Sequence, residues 1–356
     1  MSMMIPELTD NIIDHLHDNR PALCSCSLVC RSWLPSSRFH LFSTVVLCFI
    51  DINTGLPMIC SQSSTIAPYV RHLELEDGWN GWRRWLNDAL PKLPNFGALK
   101  SLALGHIDWA QLTREPRRRD RLIGLSRCLN HLALEYVKFE TMDQVLDLFY
   151  VAPSLEKVSL ASVQCENENV SHTRSKTISL KEITFAGGSL ARPLIDWLCL
   201  QPMPSVHTLN LAFVRMNQVP SISRYLKILG PKLEHLGLEC SGECQDALCK
   251  AIDLSHNTSL CTISIDGIVL YDNYSNSPGA RIQGWVIDIL SQITSRYISM
   301  VTLIVLTKTP QEIYSLDLPA LSLAFTGVSS VLSERNARLR FHVLGEVNRS
   351  IGIRWP

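Results

Sequence analysis

Apolar residues recur along this chain in one six-residue figure: apolar, two variable positions, apolar, one variable position, apolar. It occurs nine times, as FSTVVL from Phe42, VRHLEL from Val70, LKSLAL from Leu99, LNHLAL from Leu129, LEKVSL from Leu155, LKEITF from Leu180, VHTLNL from Val206, LEHLGL from Leu233 and LCTISI from Leu260, at offsets of 25 to 30 residues. The fourth and sixth positions are alternate residues of a short strand and point into a core, while the positions between them face outward. No single unit buries its own apolar side, so neighbours must stack. Between the hexads, Trp82, Trp85, Leu86 and Leu90, then Val145, Leu146 and Phe149, then Leu194, Ile195, Trp197 and Leu198 cluster as the buried faces of helices do. Pro153, Pro204 and Pro231 stand just before the next hexad, where a helix ends. The expectation is an α/β chain with a parallel sheet. After Leu270 the figure weakens: residues 271–279 (YDNYSNSPG) read as a polar loop and residues 282–298 as a helix. A tenth strand is expected over residues 300–306 and an eleventh around Phe341 and Val343, with Ile351, Ile353 and Trp355 as a closing cap.

Residues 5–42 follow another pattern. Ile5, Leu8, Ile12 and Leu16 fall at helical spacing and Ile13 widens the stripe, while Asp10, Asn11, Asp14 and His17 take the other side. Pro6 suits a first helical turn and Glu7 the positive end of the helix dipole. After a break at residues 18–21, a second apolar run carries Leu23, Leu28, Val29 and Trp33, and Pro35 ends or kinks it. Two or three short helices are predicted, with more apolar side chains than a small helical hairpin can bury. Phe42 closes this segment and opens the first hexad, which leaves no linker.

Ile5-Pro6-Glu7-Leu8, Ile12-Ile13 with Leu16, and the octet Cys26-Ser27-Leu28-Val29-Cys30-Arg31-Ser32-Trp33 resemble an F-box, the three-helix motif that binds the Skp-type adaptor of cullin-RING ubiquitin ligases. Ile5 replaces the family's opening Leu, and residues 19–22 replace its Pro-x-Asp-Leu turn. The resemblance implies an adaptor surface made of Ile5, Pro6, Leu8, Ile12, Ile13, Leu16, Leu28, Val29 and Trp33. The hexads resemble the leucine-rich-repeat family, whose units run about 20 to 29 residues. That resemblance implies a solenoid with a parallel inner sheet and outer helices over residues 42–356, regular over 42–270 and longer in its units over 271–356. One departure stands out. Where the family carries Asn or Cys after the strand, this chain has Ile107, Val137, Val163, Val214 and Ile268, each followed two residues later by Trp109, Phe139, Cys165, Met216 and Leu270. A side-chain amide ladder is therefore missing, and backbone groups in each turn need other partners. Together the resemblances imply the substrate receptor of an SCF-type ligase, holding a Skp-type adaptor, and through it the cullin, at one end and an unknown target protein on the solenoid. The alternative is a repeat scaffold whose N-terminal helices only cap it.

Charge and cysteines narrow the partners. With 33 basic and 33 acidic side chains the formal charge is zero, so no global field gathers nucleic acid or an anionic membrane surface. The basic run REPRRRDR at 114–121 has no aromatic residues interleaved and reads as a solvated helix start. The opening MSMMIPELTD lacks the layout of an export signal and no apolar run reaches about 18 residues, so the expectation is an intracellular protein, cytoplasmic or nuclear, with its twelve cysteines reduced. Sequons at Asn169, Asn257, Asn273 and Asn348 then read as chance matches. Neither Cys24, Cys26 and Cys30 nor Cys240, Cys244 and Cys249 have the paired C-x-x-C spacing of a structural metal site, and no metal or cofactor is expected. No G-x-S-x-G, H-E-x-x-H, G-x-x-x-x-G-K or G-x-G-x-x-G string occurs, and no enzymatic activity is expected.

The outward positions of the strands are the expected target surface. The third position holds His72, Ser101, His131, Lys157, Glu182, Thr208, His235 and Thr262, and the seventh brings Glu76, Glu135, Glu239 and Asp266. The fifth is mostly small: Ala103, Ala133, Ser159, Thr184, Asn210, Gly237 and Ser264. His72, Glu76, His131, Glu135, Lys157, Thr208, Asn210, His235 and Glu239 are the target-binding candidates. The small row is either a trough for an extended partner segment or a consequence of strands packed about 4.8 Å apart.

Overall fold

Nine hexads, each opening a strand, set the layout in the computed structural model, which describes residues 6–50, 55–61, 64–78, 85–168, 178–202, 204–239, 245–269, 284–307 and 337–345. The chain divides into two compact units, Met1–Ile178 and Ser179–Pro356. The division does not fall at residue 42: the N-terminal helices belong with the strands that follow them.

In the first unit α1 (Pro6–Asp14), α2 (Arg20–Val29) and α3 (Leu34–Phe42) lead into β1 (Thr44–Leu47) and α4 (Gly55–Cys60). Then come β2 (His72–Glu76), α5 (Trp85–Ala89), β3 (Ser101–Gly105), α6 (Trp109–Thr113), α7 (Pro116–Ser126), β4 (His131–Glu135), β5 (Lys138–Thr141), α8 (Met142–Val151), β6 (Lys157–Ala161) and β7 (Gln164–Asn167). Strands β1, β2, β3, β4 and β6 lie side by side in chain order, all parallel, with Thr44, His72, Ser101, His131 and Lys157 in register. A slip of one residue would turn every core side chain outward, so the buried pairs Leu73 and Leu75, Leu102 and Leu104, Leu132 and Leu134, and Val158 and Leu160 hold that register. At each strand entry two N–H groups share one carbonyl of the preceding unit. Arg71 and His72 donate to Ser43, Lys100 and Ser101 to Arg71, and Asn130 and His131 to Lys100.

The turn after each strand shows what replaces the missing amide ladder. His106, Tyr136 and Ser162, each at the eighth position of its repeat, have positive φ. There the N–H of His106 reaches the carbonyl of Glu135, and that of Tyr136 reaches Ala161. Backbone thus satisfies backbone, although a non-glycine residue in this conformation costs about 1 kcal/mol. Val137 and Phe139, then Val163 and Cys165, alternate beyond the turn with their side chains buried, and β5 pairs with β7 as a second, two-stranded parallel sheet. Burial there pushes the Cys165 thiol up to about 11.

The second unit contains β8 (Glu182–Ala186), α9 (Ala191–Cys199), β9 (Thr208–Ala212), α10 (Val219–Leu229), β10 (His235–Glu239), α11 (Gln245–Ala251), β11 (Thr262–Val269), α12 (Gly284–Ser291), β12 (Met300–Thr307) and β13 (Arg338–Gly345). Strands β8 to β13 also stand in chain order and parallel, so the expected tenth and eleventh strands are β12 and β13. Gly187 and Phe213 repeat the positive-φ turn, and the N–H of Gly187 reaches Ala212. Asn257, 1 % exposed, donates its amide to the carbonyls of Leu226 and Gly230 at the end of α10, where Gly230 also has positive φ.

The helical clusters expected around Trp85, Leu86 and Leu90, around Val145, Leu146 and Phe149, and over 194–198 are buried against these sheets. Each unit is therefore an α/β arrangement of a parallel sheet with helices between its strands. Among the described residues, no helix is long and apolar enough to cross a membrane. Ile5, Trp82, Asn169, Cys240, Cys244, Leu270, the loop 271–279, Ile282, Asn348 and the cap residues Ile351, Ile353 and Trp355 lie outside the described residues.

Candidate functional site

The helical hairpin at the start of the first unit is built by its capping residues. Asn19 accepts a hydrogen bond from the Ala22 N–H at 3.1 Å and so starts α2, with Pro21 in its first turn. Trp33 stands at the N-cap of α3 and Pro35 in its first turn, so Pro35 opens a helix where the sequence pattern had suggested an end. Ile13, Leu23 and Leu41 form a small core, with Leu16, Trp33 and Phe42 packed against it. Two polar links tie α1 to α3: the Ser36 hydroxyl donates to the Asp10 carboxylate, and His40 Nε2 lies 2.7 Å from Asp14 Oδ1.

This core divides the nine expected docking residues. Leu28 is 87 % exposed, Val29 61 %, Leu8 51 % and Ile12 39 %. Ile13, by contrast, is fully buried and offers no outer surface, and Leu16 and Trp33 are half-buried, each packed in part against the hairpin's own interior. The reason is angular: consecutive helical residues sit about 100° apart, so Ile12 and Ile13 cannot face the same way. Pro6 opens α1.

Beside Val29, the Cys30 thiol lies 3.0 Å from the Ser32 hydroxyl, which together with the Trp33 N–H lowers its pKa. Cys24 and Cys30 are exposed while Cys26 is buried, so the three thiols do not converge. Among the described residues, no group of three His, Cys, Asp or Glu side chains could hold a metal ion.

The outward face of the first unit's sheet carries the second candidate surface. His72 and Lys157 are exposed at the strand entries, and Ser101 and His131 are half-buried between them. Ser101 Oγ lies 3.2 Å from His131 Nδ1, and His131 Nε2 lies 3.5 Å from Ser159 Oγ, which fixes that ring across three strands. Ala103 and Ala133 form the floor. Toward the strand ends Glu76 and Glu135 flank Gly105 in register, and the Glu76 side chain leans over that glycine, where a Cβ would stand 3.3 Å from Glu76 Cγ. Glu74, the middle residue of β2 and the fifth position of its repeat, joins them and was not among the candidates drawn from the sequence. Burial pushes the Glu74 carboxyl above its ordinary range, and the neighbouring Glu76 and Glu135 add to the effect. Burial also raises Glu135, which His106 partly offsets and Glu76 reinforces. Next to this group the rings of His106 and Tyr136 stack with centroids 4.8 Å apart and planes 11° from parallel.

In the second unit the same rows look different. His235 Nδ1 lies 2.8 Å from Thr262 Oγ1, and His207 Nδ1 lies 3.4 Å from Thr208 Oγ1. Asn210 donates its amide to Thr184 Oγ1 at 3.2 Å, and its amide oxygen overlies Gly237, where a Cβ would come within 2.5 Å of it. The trough expected at Gly237 is thus filled from within, and Asn210 is engaged across three strands. Glu239 is half-buried at the end of β10.

A polar cleft of about 570 Å³ lies on the helix side of the first unit, lined by Asn87, Gln111, Arg114, Glu115 and Arg118. Here the basic run starts α7, as its sequence suggested. Arg118 pairs with Glu115 at 3.1 Å and donates to the Asn87 carbonyl, while Arg121 donates to Asn95 and to the Leu93 carbonyl. Two of its arginines therefore serve local structure.

No protein-family model matches the chain, and no curated protein matches it in sequence.

Proposed function

We propose that the chain is the substrate receptor of an SCF-type ubiquitin ligase. In this reading α1 to α3 are an F-box that holds a Skp-type adaptor and, through it, the cullin. The strands and helices that follow are a leucine-rich-repeat-like solenoid that presents its sheet face to a target protein, and the receptor contributes no catalytic group of its own.

One observation carries the reading: the hairpin fills a core with Ile13, Leu23 and Leu41 and still leaves Leu8, Ile12, Leu28 and Val29 exposed. Leu28 and Val29 lie inside the octet that resembles an F-box. A hairpin that only sealed a neighbour would gain nothing from two bare aliphatic side chains at the end of α2. The solenoid reading draws on the hexad strands, which stand in chain order, one from each repeat and aligned hexad for hexad, the order that stacked repeats produce. Burying four aliphatic side chains gains about 1.5 to 3 kcal/mol each. That total is similar to the cost of association, about 4 to 15 kcal/mol, so the adaptor interface must extend beyond these four.

The cap reading also has its observation. Arg38 donates to Thr65 Oγ1 at 2.7 Å, and the Arg71 guanidinium lies 5.0 Å from the centre of the Phe39 ring, so α3 is fastened to the repeat that follows. That leaves the exposed ends of α1 and α2 without a role. Gel filtration of the full chain co-expressed with a Skp-type adaptor separates the two. Receptor function predicts a one-to-one complex; separate elution with both proteins at about 10 µM, well above the dissociation constant of a stable subunit contact, overturns it.

A further inference from the structure

We infer that the sheet face over β2 to β4 receives an extended basic segment of another protein, with arginine or lysine side chains lying among Glu74, Glu76 and Glu135 and against the stacked rings of His106 and Tyr136. Calling that protein the ligase target rests on the receptor reading, whereas the surface does not.

Two carboxylates, Glu76 and Glu135, stand at the exit ends of β2 and β4 with β3 between them, and a third, Glu74, lies at the middle of β2. Glu76 and Glu135 face each other across Gly105, and Glu74 is two residues before Glu76 on the same face of β2. Among the described residues, no lysine or arginine forms an ion pair with any of the three. Burial and mutual repulsion hold the Glu74 and Glu135 carboxyls above their ordinary range, a cost that an entering cation would reverse. A guanidinium beside Glu135 also meets the Tyr136 ring, and cations are attracted to aromatic faces. Lys157, exposed at the entry of β6, stands at the opposite end of this sheet face.

The floor tells what kind of ligand fits. Ala103 and Ala133 let a backbone come close where larger side chains would hold it off. Crossing from β2 to β4 covers two strand spacings, about 10 Å, which an extended chain spans in about three residues. Basic residues two apart in such a segment point to the same side, so one reaches Glu74 and Glu76 while the next reaches Glu135. A divalent ion is a poorer occupant, since the described residues hold no group of three ligating side chains placed for one. Nucleic acid is repelled by the same carboxylates.

The test uses the full chain and fluorescence anisotropy with three probes: a labelled nonapeptide alternating arginine and alanine, its glutamate counterpart, and calcium as competitor. The arginine peptide should bind saturably at one site and weaken as salt rises. Glu74→Gln with Glu135→Gln should weaken it at least about tenfold. Tyr136→Ala should weaken it about two- to fivefold, from the loss of the ring face. Should the double variant fail to fold, Glu135→Arg serves instead, weakening the arginine peptide and strengthening the glutamate one. Undiminished binding by the folded glutamine variant, equal binding of the glutamate peptide, or displacement of the peptide by micromolar calcium overturns the inference. Adaptor capture is measured on the same preparations. Peptide binding without adaptor capture removes the receptor reading and leaves this surface standing, and adaptor capture without peptide binding removes this inference alone.

Discussion

If the hairpin keeps one set of apolar side chains for itself and another for a foreign subunit, two kinds of substitution must behave in opposite ways. Leu28→Lys with Val29→Lys changes the outer set. Lysine is the better probe than aspartate, because α2 ends at Val29 and a carboxylate there would oppose the helix dipole by about 0.3 to 1 kcal/mol, whereas a cation suits it. Leu28 is 87 % and Val29 61 % exposed, so removing them forfeits little in the free chain, within about 0.5 kcal/mol for surface positions of this kind. On docking, each would have been worth about 1.5 to 3 kcal/mol, and the loss of both weakens adaptor capture by at least about 100-fold. Ile13→Ala is the counterpart. Ile13 is fully buried in a core of three main side chains, and truncation there costs about 2 to 5 kcal/mol, enough to loosen the hairpin and lose capture with it. The assay pairs thermal unfolding by circular dichroism with adaptor titration by isothermal calorimetry. A lysine variant that melts like the parent and still binds the adaptor within about threefold refutes the reasoning, and so does an Ile13→Ala chain with an unchanged melting temperature.

The interior supplies further checks. Gly237→Ala should cost about 1 to 3 kcal/mol, because its Cβ would meet the Asn210 amide, and the cost should shrink in an Asn210→Ala background, which a double-mutant cycle in urea measures. Asn257→Ala removes two amide donors from the carbonyls of Leu226 and Gly230 and should lower stability by about 2 kcal/mol in the same assay. The raised Glu74 carboxyl makes the folded chain bind its proton more tightly than the unfolded chain does. Its contribution is therefore fully present below the ordinary glutamate value, about 4.3, and declines as pH rises through the folded value. Glu74→Gln should thus gain stability over the parent at pH 7 and much less at pH 4; equal differences at the two pH values would contradict the sign.

Much of the fold was legible because one periodicity served two purposes. The hexad that marks a strand in the sequence also equates position with position between neighbours, so reading the spacing amounted to reading the register from Thr44 to Lys157. The two-stranded sheet of β5 and β7 was harder to see. Val137-Lys138-Phe139 and Val163-Gln164-Cys165 do alternate as strands do, but each run is short and its pairing is made by backbone groups, which no side-chain motif marks. Pro35 misled in another way, since a proline after an apolar run fits the first turn of a new helix as well as the end of an old one.

The surfaces were less legible than the core, for a reason that the register itself could have exposed. Whether an outward side chain reaches a partner depends on the residue beside it on the next strand. Asn210 pairs with Gly237, and Glu76 pairs with Gly105; in both cases the longer side chain lies across the space that the glycine leaves. Ala103 and Ala133 pair with each other, and neither offers a neighbour that space nor fills it. A row of small residues is therefore no trough as such: its glycines invite occupation from within, and its alanines keep a floor open. By that criterion the open ground lies over β3 and β4, next to Glu74, Glu76 and Glu135, and the position at Gly237 is already taken.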